Sequence, residues 1–267
     1  MFHGVSSSIP QGGNGDIPKF IQQPKRSSTR FVLTRASGYR SVMPRTARTI
    51  AADICYHVLN RGNGRSRVFH DDDDFREFLT LSRRAAIDAE VDILAYCLMP
   101  NHYHFVMRPA RSDGIAKWAH WLGTTFASRY HRRRGSSGRI WQGRFKVFPI
   151  QEDRHLLSVM RYVERNALQA RLAPSAEAWP WGSLHMRCGD SAASWLTQPP
   201  IGLPAKWREQ VNQPATSKEY DRFVRSLKTG TPFGHPAWVT DTARHLGLLH
   251  TLRSVGRPPK DRLDPRP

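Results

Sequence analysis

The sequence predicts an α+β fold: a ferredoxin-like antiparallel sheet with helices on one face, an added helix behind the last strand, and a mostly helical C-terminal appendage. Three observations predict it. Strand-prone and helix-periodic segments follow one another in the order strand, helix, strand, strand, helix, strand, which is a split βαβ arrangement. Residues 93–108 hold two apolar runs broken at Met99, Pro100 and Asn101, the pattern of two strands joined by a short turn. Behind the last strand, Leu156, Met160, Val163 and Ala167 recur at three- and four-residue spacing, as on one face of a further helix.

Each element has its own signals. Ala52–Leu59 is β-prone and ends at Asn60-Arg-Gly-Asn-Gly-Arg65, where glycines permit a turn. Asp71 to Asp74 precede Phe75, Phe78, Leu79 and Ala86, so four carboxylates mark a helix N-terminus and read as capping groups, not as a metal site. In the second half of the hairpin Phe105, Val106 and Met107 form an apolar run, which predicts a central strand covered on its far face, the other face of the sheet or its edge being left to receive a nucleic-acid strand. Asp113–Arg134 carries Ile115, Trp118, Leu122 and Phe126 at helical spacing and ends in a basic cluster before Gly135. Trp141–Ile150 reads as a loop and a fourth strand. The last helix spans Glu152–Leu172, with Glu152 and Asp153 at its start and Pro174 beyond its end, as the helix dipole and the stereochemistry of proline favour.

The chemistry-bearing residues concentrate in two places. His102 and His104 flank Tyr103 on a strand, and side chains two apart share a face, so two imidazoles converge. Such a pair is an incomplete shell for a divalent metal and needs a third ligand from elsewhere. Tyr162 and Asn166 are four residues apart on the late helix and therefore on one face. Taken singly, each feature has a plain structural role: one stacked and one exposed histidine, a half-buried packing tyrosine, a solvated asparagine.

The ordered motifs Tyr56-His-Val-Leu-Asn-Arg-Gly62, Leu98-Met-Pro-Asn-His-Tyr-His104, Trp141-Gln-Gly-Arg-Phe-Lys146 and Arg161-Tyr-Val-Glu-Arg-Asn-Ala167 together resemble the single-tyrosine HUH transposases of the IS200-like superfamily, in particular the REP-associated tyrosine transposases. The resemblance extends more loosely from Met43 to Pro258. It implies that His102, His104 and Asn166 hold Mg²⁺ or Mn²⁺. It also implies that Tyr162 is the nucleophile, forming a 5′-phosphotyrosine bond with single-stranded hairpin DNA in a nicking and rejoining reaction. Ala167 departs from the proline that many relatives carry there; alanine is the better helix former, so the expected ligand geometry survives.

Composition is consistent with this. A 267-residue chain with 39% hydrophobic and 10% aromatic residues can build a substantial core. Its formal net charge of +19 points to a polyanionic partner, nucleic acid first. Arg132, Arg133 and Arg134 are candidates for phosphate contact, although cations at a helix C-terminus also satisfy the dipole. Arg144 and Lys146 are candidates for the backbone, with Trp141 or Phe145 stacking a base or else packing inside. Arg257, in a Gly-Arg-Pro tail that resembles minor-groove hooks, completes the expected DNA contacts.

Three widely spaced cysteines suggest neither disulfide framework nor zinc site, and no apolar run approaches the roughly 20 residues that span a bilayer. A cytoplasmic, nucleoid-associated protein is therefore expected, with no membrane or small-molecule partner and as a monomer in preference to a dimer. Residues 1–42 read as a flexible basic extension, either an arm or, by preference, the product of an upstream start codon; 43–190 as the catalytic domain; 191–267 as a helical DNA-contacting appendage. Two rival functions share this fold: a non-catalytic hairpin DNA or RNA binding protein, and a metal-dependent ribonuclease.

Overall fold

The computed structural model describes residues 49–189, 195–214 and 216–253. The expected N-terminal extension and the tail containing Arg257 lie outside the described residues. Four strands, β1 (Cys55–Arg61), β2 (Val91–Met99), β3 (His102–Pro109) and β4 (Lys146–Ile150), lie in the spatial order β2-β3-β1-β4. All neighbouring pairs are antiparallel. Helix α1 (Asp72–Asp88) connects β1 to β2, and α2 (Gly114–Arg134) follows β3. This is the expected ferredoxin-like order, with β3 in the interior.

Alternation along β3 divides the molecule. Tyr103, Phe105 and Met107 enter a core with Phe75 and Phe78 of α1 and Trp118 and Phe126 of α2. Val106 enters a second core, together with Cys97 of β2 and Phe148 of β4. There the stripe Leu156, Val159, Met160 and Val163 of α3 (Arg154–Gln169) closes over the sheet. The expectation that the other face of the sheet, or its edge, receives a nucleic-acid strand is therefore corrected for the face, which α3 covers. An apolar helix stripe and an apolar sheet face each need a cover, and they cover one another.

The appendage contributes α4 (Ser183–Cys188), α5 (Trp207–Asn212), α6 (Ser217–Thr229) and α7 (Pro236–His245). Trp207 and Val211 of α5, Phe223 of α6 and Phe233 are buried in the second core. Phe233 also exchanges backbone hydrogen bonds with the end of β4, its N–H donating to Pro149 at 2.9 Å and its carbonyl accepting from Gln151 at 2.9 Å. The described segments beyond residue 190 thus complete the core beneath α3.

Helix ends behave as the sequence indicates. Asp71 caps α1 by accepting from the Asp74 N–H, and Asp153 caps α3 by accepting from His155. Gly135 ends α2 in the left-handed conformation at φ 58°. All three cysteines are free. Among the described residues no helix is long and apolar enough to cross a membrane.

A buried carboxylate ties α3 to its neighbours. Glu164, 1% exposed, accepts from Ser183 Oγ at 2.7 Å, Arg187 Nε at 2.9 Å and Trp207 Nε1 at 2.6 Å. Arg187 donates its other nitrogen to the Leu94 carbonyl on β2. Removing one partner of a buried pair leaves the other charge unmatched in an apolar surround. Glu164→Ala is therefore expected to cost about 3–5 kcal/mol, read as a fall in the urea midpoint.

Candidate active site

His102 and His104 leave β3 on the side of the second core, because residues two apart on a strand share a face. Their ring centroids are 5.0 Å apart in an edge-on arrangement. The register sets Arg61 opposite His102 and Leu59 opposite His104 on β1, with Met99 and Cys97 opposite them on β2. From the helix above, the Tyr162 ring approaches His104 to 5.9 Å, edge to face. Asn166, one turn further on, is 9% exposed and lies on the same helical face as Tyr162. The four residues singled out in the sequence thus meet on one side of the sheet.

A hydrogen bond fixes which nitrogen of His102 is free. The Asn101 amide donates to the Arg65 carbonyl at 3.1 Å, which orients its Oδ1 toward His102 Nδ1 at 2.6 Å. An amide oxygen only accepts, so neutral His102 carries its proton on Nδ1 and leaves the Nε2 lone pair available. His104 Nδ1 faces Nε2 of His57 at 2.9 Å. Ligation through Nε2 of His104 requires that its Nδ1 donate to His57, the usual second partner of a metal-bound imidazole.

Burial keeps these rings neutral. It pushes His57 down to about 3 and His102, with help from the Arg61 guanidinium, down to about 4. His104 falls well below the ordinary histidine value, first through burial and then through His102, His57 and Arg61. Burial, and then Tyr220, pushes the Tyr162 phenol up to about 12, against the opposing influences of Asn166 and Arg61.

Paired neutral imidazoles, with the Nε2 lone pair of His102 free, are donors of the type that divalent cations take. Among the described residues no group of three or more His, Cys, Asp or Glu side chains is arranged to hold a metal ion. Imidazole ligands suit Mn²⁺ better than Mg²⁺, which prefers oxygen.

The other candidates scatter. Arg144 and Lys146 are exposed and, with Arg61, line a groove of about 470 Å³ that opens beside Tyr162. Arg132 is exposed at the end of α2. Arg133 is paired with Asp74 at 2.5 Å and with Glu77 at 2.9 Å. Arg134 is paired with Asp74 and, at 3.3 Å, with Asp71. The acidic start of α1 thus clasps the basic end of α2, and these two arginines join helices. Trp141 is corrected as a base-stacking residue: its ring packs on Tyr103 at 5.2 Å, Phe78 at 5.8 Å and Phe126 at 6.3 Å. Phe145 likewise packs against the first core.

Sequence reasoning assigned no role to Arg61, and for His57 it set a place facing the metal site against a favoured core or hydrogen-bonded role. A cross-strand register was needed to see both at the site.

Residues 51–166 match the family model described as "Transposase IS200 like". That segment is similar to IS200-like transposases. Among curated proteins, the "Putative REP-associated tyrosine transposase" of Haemophilus influenzae is 24% identical over 123 residues, which cover 42% of this chain and 70% of the relative. Among solved structures, the "Structure of the REP associates tyrosine transposase bound to a REP hairpin" is 17% identical with a TM-score of 0.46, covering 66% of this chain and all of that one. A second, the "Crystal structure of a putative transposase from deinococcus radiodurans r1", is 16% identical with a TM-score of 0.33, covering 48% and 95%.

The neutral buried histidines make stability dependent on pH. Their folded-state values lie below the ordinary 6.5, so as the pH falls the unfolded chain takes up protons that the folded chain refuses. The contribution is complete above about pH 6.5 and is lost toward pH 3–4, by up to about 1.4 kcal/mol per pH unit for fully buried His57. The urea midpoint is expected to drop between pH 6.5 and 4.5, and His57→Gln to make that drop shallower; an unchanged slope in the variant would assign the acid sensitivity elsewhere.

Proposed function

We propose that the protein nicks and rejoins single-stranded DNA beside a REP-type hairpin, through a covalent bond between Tyr162 and a 5′ phosphate. The observation that carries this reading is the meeting of the Tyr162 ring, the paired imidazoles and Asn166 on one side of the sheet, with the His104 and Tyr162 rings 5.9 Å apart. The hairpin as substrate is drawn from the names of the relatives above. Charge supports it: Arg61, Arg144 and Lys146 along the groove at Tyr162 offer contacts to a phosphate backbone.

In the forward step the Tyr162 Oη attacks phosphorus, the new P–O bond forms, and the bond to the 3′ oxygen breaks. The phenolic proton passes to solvent and the departing oxygen takes up a proton, giving a free 3′-hydroxyl. One phosphoester replaces another, so the step reverses without ATP. With its pKa raised to about 12, the phenol is overwhelmingly protonated at neutral pH, and nucleophilic attack needs positive charge beside it. Arg61 supplies part of that charge. A Mg²⁺ or Mn²⁺ held by His102, His104 and Asn166 would supply the rest as a Lewis acid, an effect of several kcal/mol on such transition states.

His57 holds the His104 ring, and Asn101 holds that of His102. All of these groups belong to one chain, so a monomer suffices. Exposed Arg132 remains available for phosphate contact, whereas Arg133 and Arg134 are engaged with α1.

The test uses a labelled REP-type hairpin with single-stranded flanks and Mn²⁺. Wild-type protein is expected to form a denaturation-resistant adduct that EDTA abolishes. Tyr162→Phe is expected to lose the adduct while binding the hairpin within about twofold of wild type, because only the hydroxyl is removed. An adduct formed by Tyr162→Phe, or one indifferent to EDTA, overturns the mechanism; hairpin binding with no adduct from wild type would leave a non-catalytic binding protein.

A further inference from the structure

Helix α6 lies outside the segment matched to the IS200-like family, yet it builds one wall of the groove at Tyr162. Tyr220, Val224 and Leu227 line that wall, with Lys228 beside them. Positions four and then three apart fall on one helical face, so an aromatic ring continues into an aliphatic strip. Opposite them stand Arg61, Arg144 and Lys146. Among the described residues that line the groove there is no carboxylate.

The placement of α6 is fixed by packing. Phe223, 3% exposed, seats its ring 3.9 Å from that of Tyr162 and 5.8 Å from Phe148 of β4. Tyr220, three residues earlier, stands 6.2 Å from Tyr162 and remains 37% exposed. A large ring left to solvent next to a nucleophile, in a groove carrying four cations, suits a ligand with both a flat apolar face and negative charge.

We infer that this wall is a nucleotide subsite: Tyr220 stacks the base next to the phosphate at Tyr162, and Lys228 contacts a backbone phosphate. The identification of that phosphate as the scissile one rests on the proposed nicking reaction; the stacking does not. A free phosphate would have no use for the aromatic and aliphatic strip, whereas a nucleotide of single-stranded DNA uses both parts, since base–aromatic stacking and phosphate–cation contact are the two components of single-strand binding. A groove of about 470 Å³ is large enough for one nucleotide.

Binding of fluorescein-labelled dT12 to the full chain, followed by anisotropy without divalent metal, tests this. Wild type is expected to bind. Tyr220→Leu, which keeps apolar bulk against Phe223 but has no aromatic face, and Tyr220→Ala are expected to weaken binding by about 5- to 150-fold, the range for loss of one stacked base. Tyr220→Phe is expected to bind within about twofold of wild type. Lys228→Gln is expected to reduce the slope of log K against log salt by about 0.7, as for one phosphate contact on a single strand.

Wild-type affinity in Tyr220→Leu, equal loss in Tyr220→Phe, an unchanged salt slope in Lys228→Gln, or no binding of dT12 by wild type overturns the inference. The adduct assay keeps the two readings apart. An adduct from wild type combined with full dT12 binding by Tyr220→Leu would retain the nicking reaction and remove the subsite; the reverse pattern would retain the subsite alone.

Discussion

The two-residue alternation of β3 between two cores is the constraint on which the rest of the molecule depends. Tyr103, Phe105 and Met107 are committed to the helices of the first core, so His102 and His104 have no choice but to emerge with Val106 on the other side. A one-residue slip in register would exchange the two sets and drive aromatic rings into the site. The depth of the apolar commitment on one face therefore secures the polar geometry on the other. Buried imidazoles are costly unless hydrogen-bonded, and the contacts of His104 with His57 and of His102 with Asn101 offset that cost while selecting the nitrogen each ring presents.

Helix α3 meets that face with opposite requirements along its length. Its stripe of Leu156, Val159, Met160 and Val163 needs apolar cover, whereas Tyr162 and Asn166 need the histidines. Both are satisfied because the helix is held from behind. Glu164 links it to Ser183, Arg187 and Trp207, and Phe223 packs against Tyr162 itself. Described residues beyond 190 are thus a structural part of the site, since without Phe223 one side of the Tyr162 ring would face solvent.

What was legible in the sequence follows from how far each signal reaches. The period of two around His102 and His104, and the spacing of four between Tyr162 and Asn166, are local patterns, and the structure brings all four residues together. Asp71 was legible as a cap because its partner is the N–H of Asp74. Its second role was not, because Arg134 lies 63 residues away and nothing local tells a cationic helix end that faces DNA from one that faces another helix. Trp141 carried two readings in the sequence, base stacking or packing inside, and only the fold shows its ring joining the first aromatic core. His57 became part of the site only through a contact spanning 47 residues. The covered second face was missed for a related reason: helical periodicity shows that α3 has an apolar stripe, but not which surface receives it.

The distribution of charge follows from the same packing. A net charge of +19 does not spread evenly over a DNA-binding surface, since carboxylates of α1 neutralise Arg133 and Arg134 at the interface with α2. The groove at Tyr162 has cations on both walls and lacks carboxylates among its lining residues. Deeper in, the histidines are neutral and the phenol holds its proton because burial disfavours the charged form of each. Negative charge on the Tyr162 oxygen is thus disfavoured until cations gather around it, whereas a phosphate entering the groove finds positive charge already in place. In a site so arranged, the same burial that keeps the Tyr162 phenol protonated keeps the imidazoles uncharged.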